Sequence, residues 1–317
     1  MSAGVLVSDH VVRAVGPALR RVAAPLRLVV LREGSIDGDV TAVEIAYFSG
    51  DLFPARAREF VLALTKADRL RWLHVFSAGV DHPWFQQLLE RGIRITTSSG
   101  ASAVPIAQTV ALYLLALSRD LRRWTDAQSR CAWEPHDVTD LQGQTLGVLG
   151  MGSIGREVAR LGAALRMHVV GMTRSPKGDE PCETWPLTRI SDLLPLADWL
   201  VLALPLTGET RGILSADAIA RMKPGARLIN VGRGDLVDEA ALVKALASGA
   251  LGGAGLDVFA VEPLPPTSPL WTMPNVLVTP HSSGTTPANH PRATAMFLDN
   301  LRRWRSDEPL LNEVARG

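Results

Sequence analysis

The segment Leu146-Gly-Val-Leu-Gly-Met-Gly-Ser-Ile-Gly155 constrains this chain more than any other stretch. It holds the spacing G-x-G-x-x-G at Gly150, Gly152 and Gly155. Before it, Thr145–Leu149 is a short apolar run that reads as a strand. After it, Ser153–Leu165 places Ile154, Val158, Leu161 and Leu165 on one helical face. His168–Met172 then reads as the next strand. Glycines at this spacing have separate tasks in a strand–turn–helix unit. The first permits the tight turn, the second lets a pyrophosphate approach the backbone, and the third lets helix and strand pack closely. The amides of Ser153 and Ile154 fall at a helix N-terminus, which favours an anion. The context predicts a dinucleotide-binding βαβ unit, with Gly150, Gly152, Ser153, Ile154 and Gly155 against the cofactor.

The residues after the second strand of such a unit meet the adenosine ribose. Units that bind NAD usually carry Asp or Glu there, about 20 residues on. This chain has Thr173-Arg174-Ser175, and no carboxylate until Asp179. A carboxylate repels a 2′-phosphate, whereas a guanidinium and two hydroxyls bind it. NADP(H) is therefore favoured over NAD(H). Arginine is common here: all 33 basic residues except Lys66, Lys177, Lys223 and Lys244 are Arg, so a lone Arg elsewhere signals little.

The rest of the chain shows the same alternation. Gly4–Ser8, Leu26–Leu31, Val43–Ser49, Leu73–Ser77 and Ile93–Thr97 read as strands, with helical stretches such as Pro54–Leu64 and Trp84–Arg91 between them. This pattern predicts a parallel sheet covered on both faces. Ala103–Arg122 reads as one long helix, apolar on nearly all sides and so expected to be buried between layers or domains. Residues 130–142 look like a loop, with Trp and His side chains suited to an interface. Trp199–Leu204, Arg227–Val231, Gly253–Asp257 and Val276–Thr279 follow as strands. Ser215 and Asp238 begin helices with Asp217 and Glu239 in their first turns, and Gly249 ends the second. A last helical pattern covers Ala293–Trp304. At 317 residues, two α/β domains are the natural expectation.

Composition excludes several classes. Hydrophobic residues at 47% and charged residues at 21% argue against disorder. A net charge of +1 argues against a dedicated nucleic-acid binder or a polybasic membrane anchor. The two cysteines, Cys131 and Cys182, support neither a disulfide scaffold nor a cysteine-based zinc site, and no metal is expected. The N-terminus has no basic start and no long apolar core, and Ala103–Leu117 is too short to span a bilayer. A cytoplasmic protein is expected.

Three further segments each follow a strand: Asn230-Val-Gly-Arg-Gly-Asp-Leu-Val-Asp238, Leu256-Asp-Val-Phe-Ala-Val-Glu-Pro263 and Val278-Thr-Pro-His-Ser-Ser-Gly284. Ligands of doubly wound sheets bind outside the carboxyl ends of the strands. Arg233, Glu262 and His281 thus approach one crevice. Together with Ser77-Ala-Gly-Val-Asp81, Leu204-Pro-Leu-Thr-Gly-Glu-Thr210, Met222-Lys-Pro-Gly225, Asn300-Leu301 and Leu311-Asn312, these blocks resemble, in order, the signatures of the D-isomer-specific 2-hydroxyacid dehydrogenases. That family includes glyoxylate/hydroxypyruvate reductases and phosphoglycerate dehydrogenases. The resemblance runs over most of the chain.

The resemblance implies roles that suit the chemistry. His281 is the acid that protonates the developing alkoxide and takes the proton back in oxidation. Glu262 hydrogen-bonds the other ring nitrogen, orients the imidazole and favours its protonated form. Arg233 binds the substrate carboxylate and polarises the carbonyl. Ser77, Ala78 and Gly79 form the loop whose amides hold the other carboxylate oxygen, with Asp81 either in that loop's work or capping a turn. Asp257 fixes the nicotinamide carboxamide. Leu204, Pro205, Thr210, Val231, Gly232, His281 and Ser283 lie along the cofactor. Gln108 departs from the Glu usual in the linking helix. Specificity is expected from Phe48, Ser49, Leu52 and the interface residue Trp133.

The implied architecture is a Rossmann-type dinucleotide-binding domain, 103–284, inserted into a flavodoxin-like substrate domain, 1–102 plus 285–317. Two crossings between domains suit a hinge and a closing cleft. A homodimer through the nucleotide domain is implied, with the helix after Ala103 and the Arg122–Trp133 region as candidate contacts. The expected reaction is NADPH-dependent reduction of a small 2-oxo acid, such as glyoxylate or hydroxypyruvate, to the D-2-hydroxy acid. Phosphoglycerate oxidation fits less well with the missing ribose acid and the short C-terminus. Formate oxidation is disfavoured by Glu262. The competing class is a non-catalytic nucleotide-sensing corepressor, which shares the fold.

Overall fold

The computed structural model describes residues 3–80 and 82–314, so the alternatives for Asp81 lie outside the described residues. The chain divides into two compact units, Met1–Ala101 with Thr286–Gly317 and Ser102–Thr285.

The first unit begins β1 (Gly4–Ser8), α1 (Asp9–Ala23), β2 (Arg27–Arg32), β3 (Ser35–Asp37), β4 (Val43–Phe48), α2 (Ala57–Leu64), β5 (Trp72–Val75), α3 (Pro83–Glu90) and β6 (Arg94–Thr97). Its strands lie in the order β3-β2-β1-β4-β5-β6. Without β3 this is the flavodoxin-like order 2-1-3-4-5. The sheet is not wholly parallel as expected. β3 folds back on β2 as an antiparallel edge, Arg32 opposite Ser35, because only Glu33 and Gly34 separate them. A crossover to a parallel strand needs a dozen residues or more. Alternate side chains go to opposite faces. Val5, Val7, Ile45 and Tyr47 join one core, and Leu6, Ala46, Phe48, Leu73 and Val75 another.

The second unit contains α4 (Ala103–Ser118), α5 (Leu121–Ser129), β7 (Thr145–Leu149), α6 (Ser153–Ala164), β8 (His168–Thr173), β9 (Glu183–Pro186), α7 (Ile190–Leu193), β10 (Trp199–Leu202), α8 (Ala216–Ala220), β11 (Arg227–Asn230), α9 (Glu239–Ala247), β12 (Gly253–Leu256) and β13 (Val276–Val278). The strand order is β13-β12-β11-β10-β7-β8-β9, parallel throughout. Read from β7, this is the Rossmann order 3-2-1-4-5-6 with β13 added at one edge. The strand ends are held in one register. Leu149 pairs with Leu202, Leu202 with Asn230, Asn230 with Leu256, and Leu256 with Val278. The loops that leave these strands therefore start side by side. The chain returns to the first unit as α10 (Asn289–Arg305).

Every strand expected from the sequence is present to within two residues of its predicted ends. The single helix expected over Ala103–Arg122 is two. Asp120 adopts a left-handed conformation, φ 51°, which ends the first helix and redirects the chain. Nor is α4 buried on all sides. Ala107, Val110, Tyr113 and Leu114 pack into the core of the second unit, while Val104, Gln108, Leu112 and Leu115 are exposed. Among the described residues no helix is long and apolar enough to cross a membrane.

Candidate active site

The glycine loop leaves β7 and enters α6. Gly150 has φ +105°, and a Cβ there would stand 2.7 Å from the Ala203 carbonyl oxygen. A Cβ at Gly155 would stand 1.8 Å from the Gly150 oxygen. Both glycines are thus required by the protein's own packing. Gly152 is different: a Cβ there meets nothing within 4 Å. No described residue needs a glycine at this position, which is what close approach by an outside group requires. The helix has no side-chain cap, and the amides of Gly152, Ser153 and Ile154 find no protein acceptor among the described residues. Uncapped first-turn amides at a helix N-terminus suit a pyrophosphate. The residues present fit a dinucleotide.

Thr173, Arg174 and Ser175 end β8, the first half-buried and the others exposed. The acids that follow are engaged elsewhere. Asp179 accepts from Arg156 Nη2 at 2.6 Å, and Glu180 accepts the amides of Lys177 and Gly178 at 2.9 and 2.8 Å. Arg156 holds the Asp179 carboxyl below its ordinary range.

Beside the glycine loop, residues 204–210 close on themselves. Leu204 is buried, and the buried Thr210 hydroxyl donates to the Pro205 carbonyl at 2.7 Å and accepts from Thr207 N at 2.8 Å. At the end of β11, the buried Asn230 amide clamps the next loop. Its Oδ1 accepts from Gly232 N at 3.0 Å and its Nδ2 donates to the Arg233 carbonyl at 2.9 Å. Val231 and Gly232 are buried, and Arg233 is half-buried, its Nη1 donating to the Gly232 carbonyl at 2.7 Å. A Cβ at Gly234 would stand 1.9 Å from the Phe259 carbonyl carbon, so only glycine lets this loop lie against the one after β12.

That neighbouring loop carries Glu262. Its Oε1 accepts from Phe259 N at 3.0 Å, while Glu239 anchors the next amide, Ala260 N, at 3.0 Å. Glu262 Oε2 faces His281 Nδ1 at 2.7 Å. The imidazole, 51% exposed, is thereby fixed through one nitrogen, and Nε2 has no protein partner among the described residues. The carboxylate keeps the proton on Nδ1 and leaves Nε2 to face outward chemistry.

His281 itself sits at φ +49°, a conformation uncommon for a residue with a side chain. Asp257 holds it there. The Asp257 carbonyl accepts His281 N at 2.8 Å, and its carboxylate accepts Ser282 N at 2.9 Å, Ser283 N at 3.0 Å and the hydroxyls of Thr279 and Ser283. Asp257 is 1% exposed, so its carboxylate points into this turn. Tyr113 on α4 continues the chain of hydroxyls to Thr279, and Thr109 donates to the Ser283 carbonyl at 3.1 Å. Burial pushes the Tyr113 hydroxyl up to about 12. Asn230, Glu239, Thr279 and Tyr113 carry no sequence signal of these roles. Their partners lie on other elements, and no local spacing announces them.

In the first unit, Ser77, Ala78 and Gly79 follow β5. Ser77 Oγ donates to the Gly79 carbonyl at 2.8 Å, and its own carbonyl accepts Ser98 N at 3.0 Å. The amides of Ala78 and Gly79 find no protein acceptor among the described residues. Phe48, Ser49 and Leu52, expected to touch substrate, are instead buried in the first unit. The turn Gly50–Leu52 directs Leu52 inward and leaves Phe53 59% exposed. Trp133 stands almost wholly in solvent.

The profile of the family described as D-isomer specific 2-hydroxyacid dehydrogenase, NAD binding domain, matches residues 111–283. A glyoxylate reductase from Aeropyrum pernix is 38% identical over 248 residues, covering 75% of this chain and 74% of that protein. Among solved structures, a D-isomer specific 2-hydroxyacid dehydrogenase from Xanthobacter autotrophicus, in complex with NADPH and MES, aligns with TM-score 0.79 and 33% identity over 99% of this chain and 98% of that one. An NADPH-dependent glyoxylate/hydroxypyruvate reductase from Sinorhizobium meliloti, in complex with NADP and sulfate, aligns with TM-score 0.79 and 28% identity over the same shares. With its two doubly wound α/β units, its glycine loop and its ordered signature blocks, the chain belongs to the D-isomer-specific 2-hydroxyacid dehydrogenase family of oxidoreductases.

Proposed function

We propose that the chain is an NADP(H)-dependent reductase of 2-oxo acids that yields D-2-hydroxy acids. The observation that carries this reading is the 2.7 Å pair of Glu262 and His281, set on a strand end in register with those of Arg233 and the glycine loop. Reduction adds a hydride to the carbonyl carbon and a proton to its oxygen. When bound, NADPH supplies the hydride. His281 Nε2 gives the proton as negative charge grows on that oxygen, and the Glu262 carboxylate stabilises the imidazolium that acts as donor. Arg233 binds the substrate carboxylate and draws electron density from the carbonyl. Ala78 and Gly79 take the second carboxylate oxygen through their amides, with Ser77 shaping the loop. Asp257 acts by holding the turn that presents His281.

Gly150, Gly152, Ser153, Ile154 and Gly155 hold the pyrophosphate. Leu204, Pro205, Thr210, Val231, Gly232 and Ser283 line the cofactor. Thr173, Arg174 and Ser175 take a 2′-phosphate. The engagement of Asp179 and Glu180 by other partners supports NADP(H) over NAD(H), as do the solved relatives that carry NADPH or NADP. Relatives named glyoxylate reductase support a small 2-oxo acid as substrate. A homodimer through the second unit is part of the same reading. Val104, Leu112, Leu115, Leu121, Trp124 and Trp133 are all exposed on or near α4 and α5. A cytoplasmic location suits the free thiols of Cys131 and Cys182.

The test is initial rates with NADPH and NADH side by side, against glyoxylate, hydroxypyruvate, pyruvate and phenylpyruvate. The expected result is turnover of at least one acid, with NADPH preferred by about tenfold or more. Preference for NADH overturns the cofactor assignment. Cofactor binding without turnover of any acid favours the nucleotide-sensing role.

A further inference from the structure

We infer that the preferred substrate is an aromatic 2-oxo acid of the phenylpyruvate class, selected by Phe53 and Phe76. The inference deepens the reductase reading and rests on it. Phe76 follows β5 directly, and Phe53 follows the helical turn after β4, so both stand at the carboxyl ends of neighbouring strands. Their ring centroids are 5.9 Å apart. Phe76 meets Phe48 edge-on at 5.7 Å, and Phe48 stacks on Phe60 at 4.9 Å. Phe60 is wholly buried, Phe48 nearly so, and Phe53 is 59% exposed. The core of the first unit thus reaches the surface as a run of rings, and its last member faces water.

A single exposed apolar side chain is ordinary. This one is not single, and its backbone is held. Phe53 N donates to Gly50 O at 3.2 Å, and Arg56 N to Leu52 O at 2.8 Å. Beneath Phe76, a Cβ at Gly50 would stand 3.3 Å from Phe76 Cδ2 and 2.4 Å from His290 Cε1, so glycine lets that ring rest on the backbone. Phe76 also leads straight into the Ser77–Gly79 loop, where the amides of Ala78 and Gly79 are without protein acceptors among the described residues. An apolar ring surface beside two unclaimed amides complements a molecule with a carboxylate at one end and a ring at the other. Glyoxylate has no side chain to place there.

The test compares kcat/KM for phenylpyruvate and glyoxylate, with saturating NADPH, in the wild type, Phe53→Ala and Phe53→Trp. The wild type is expected to favour phenylpyruvate by about tenfold or more, the discrimination a well-placed aromatic contact supplies. In Phe53→Ala that ratio falls about tenfold, chiefly through KM for phenylpyruvate, and in Phe53→Trp it is kept. Because Phe53 is exposed, thermal unfolding of Phe53→Ala near the wild-type midpoint separates lost recognition from lost fold. A wild type that favours glyoxylate, or a ratio indifferent to Phe53→Ala, overturns the inference and leaves the reductase reading standing. Turnover of neither acid nor of hydroxypyruvate overturns both.

Discussion

Asp257 and Glu262 follow the same strand, β12, and their surroundings give them opposite work. Glu262 is 34% exposed and spends one oxygen on a ring nitrogen. Asp257 is buried and spends both oxygens on the turn at residues 279–283. Glu262→Gln should therefore lower kcat by roughly 10²-fold while the protein remains as stable, because it weakens the proton donor alone. Asp257→Asn turns an NH2 group towards N–H and O–H donors. It should cost about 1–3 kcal/mol in urea unfolding as well as activity. The signature blocks made the pairing of Glu262 with His281 legible from sequence, since a carboxylate beside an imidazole is what such chemistry demands. The inward turn of Asp257 was not legible, because its partners come from a different strand.

His74 shows the same point within the first unit. Trp72 Nε1 donates to Thr96 Oγ1 at 2.8 Å, Thr96 meets His74 Nδ1 at 2.7 Å, and His74 Nε2 meets Ser98 Oγ at 3.1 Å. Ser98 Oγ donates onward to the Val75 carbonyl at 3.0 Å, so the run is satisfied with a neutral ring protonated on Nε2. Burial lowers the His74 pKa from 6.5 to about 3. The unfolded chain then binds the extra proton first. The stability owed to this residue is complete above pH 6.5 and falls by about 1.4 kcal/mol per unit as pH drops towards 3. Urea unfolding of the wild type and His74→Gln between those limits checks it. The variant should show a shallower acid decline, and parallel curves would contradict the assignment.

At the scale of elements, the glycine loop separates packing from binding. Gly155→Ala forces a Cβ against the Gly150 carbonyl and should cost about 3 kcal/mol or more. Gly152→Ala meets open space, so the fold should keep its stability while NADPH affinity, read by fluorescence titration, drops at least tenfold. Equal effects in the two variants would contradict this division. The inner strands of both sheets were legible because buried parallel strands are continuous apolar runs between turn residues, whereas the half-exposed edge strands β3 and β9 are not such runs and were missed. Helix α1 was not legible. Its buried positions Val11, Leu19 and Ala23 have helical spacing, but Gly16 and Pro17 interrupt the pattern, and Val15 departs from helical geometry there. The break at Asp120 was hidden too, since nothing in Arg119-Asp120 marks a left-handed residue. The inward turn of Leu52 was not legible, because an irregular turn has no fixed alternation of inside and outside.

At the scale of the molecule, two different doubly wound topologies lie in one chain, and the Rossmann unit aligns its strand ends in a single register. That alignment starts loops far apart in sequence side by side. The exposed stripe on α4 belongs to this scale as well. A surface bearing Leu112, Leu115, Leu121 and Trp124 is expected to be covered by a second copy of the chain. Light scattering should give a dimer, and Leu112→Asp with Leu115→Asp should give a monomer. If His281 supplies the proton, His281→Gln should lose turnover and keep its cofactor, with NADPH affinity and turnover measured on the same sample. Affinity should stay within about threefold of the wild type and turnover should fall by about 10²- to 10⁴-fold, the range typical of a lost general acid. Turnover within about threefold of the wild type would contradict it.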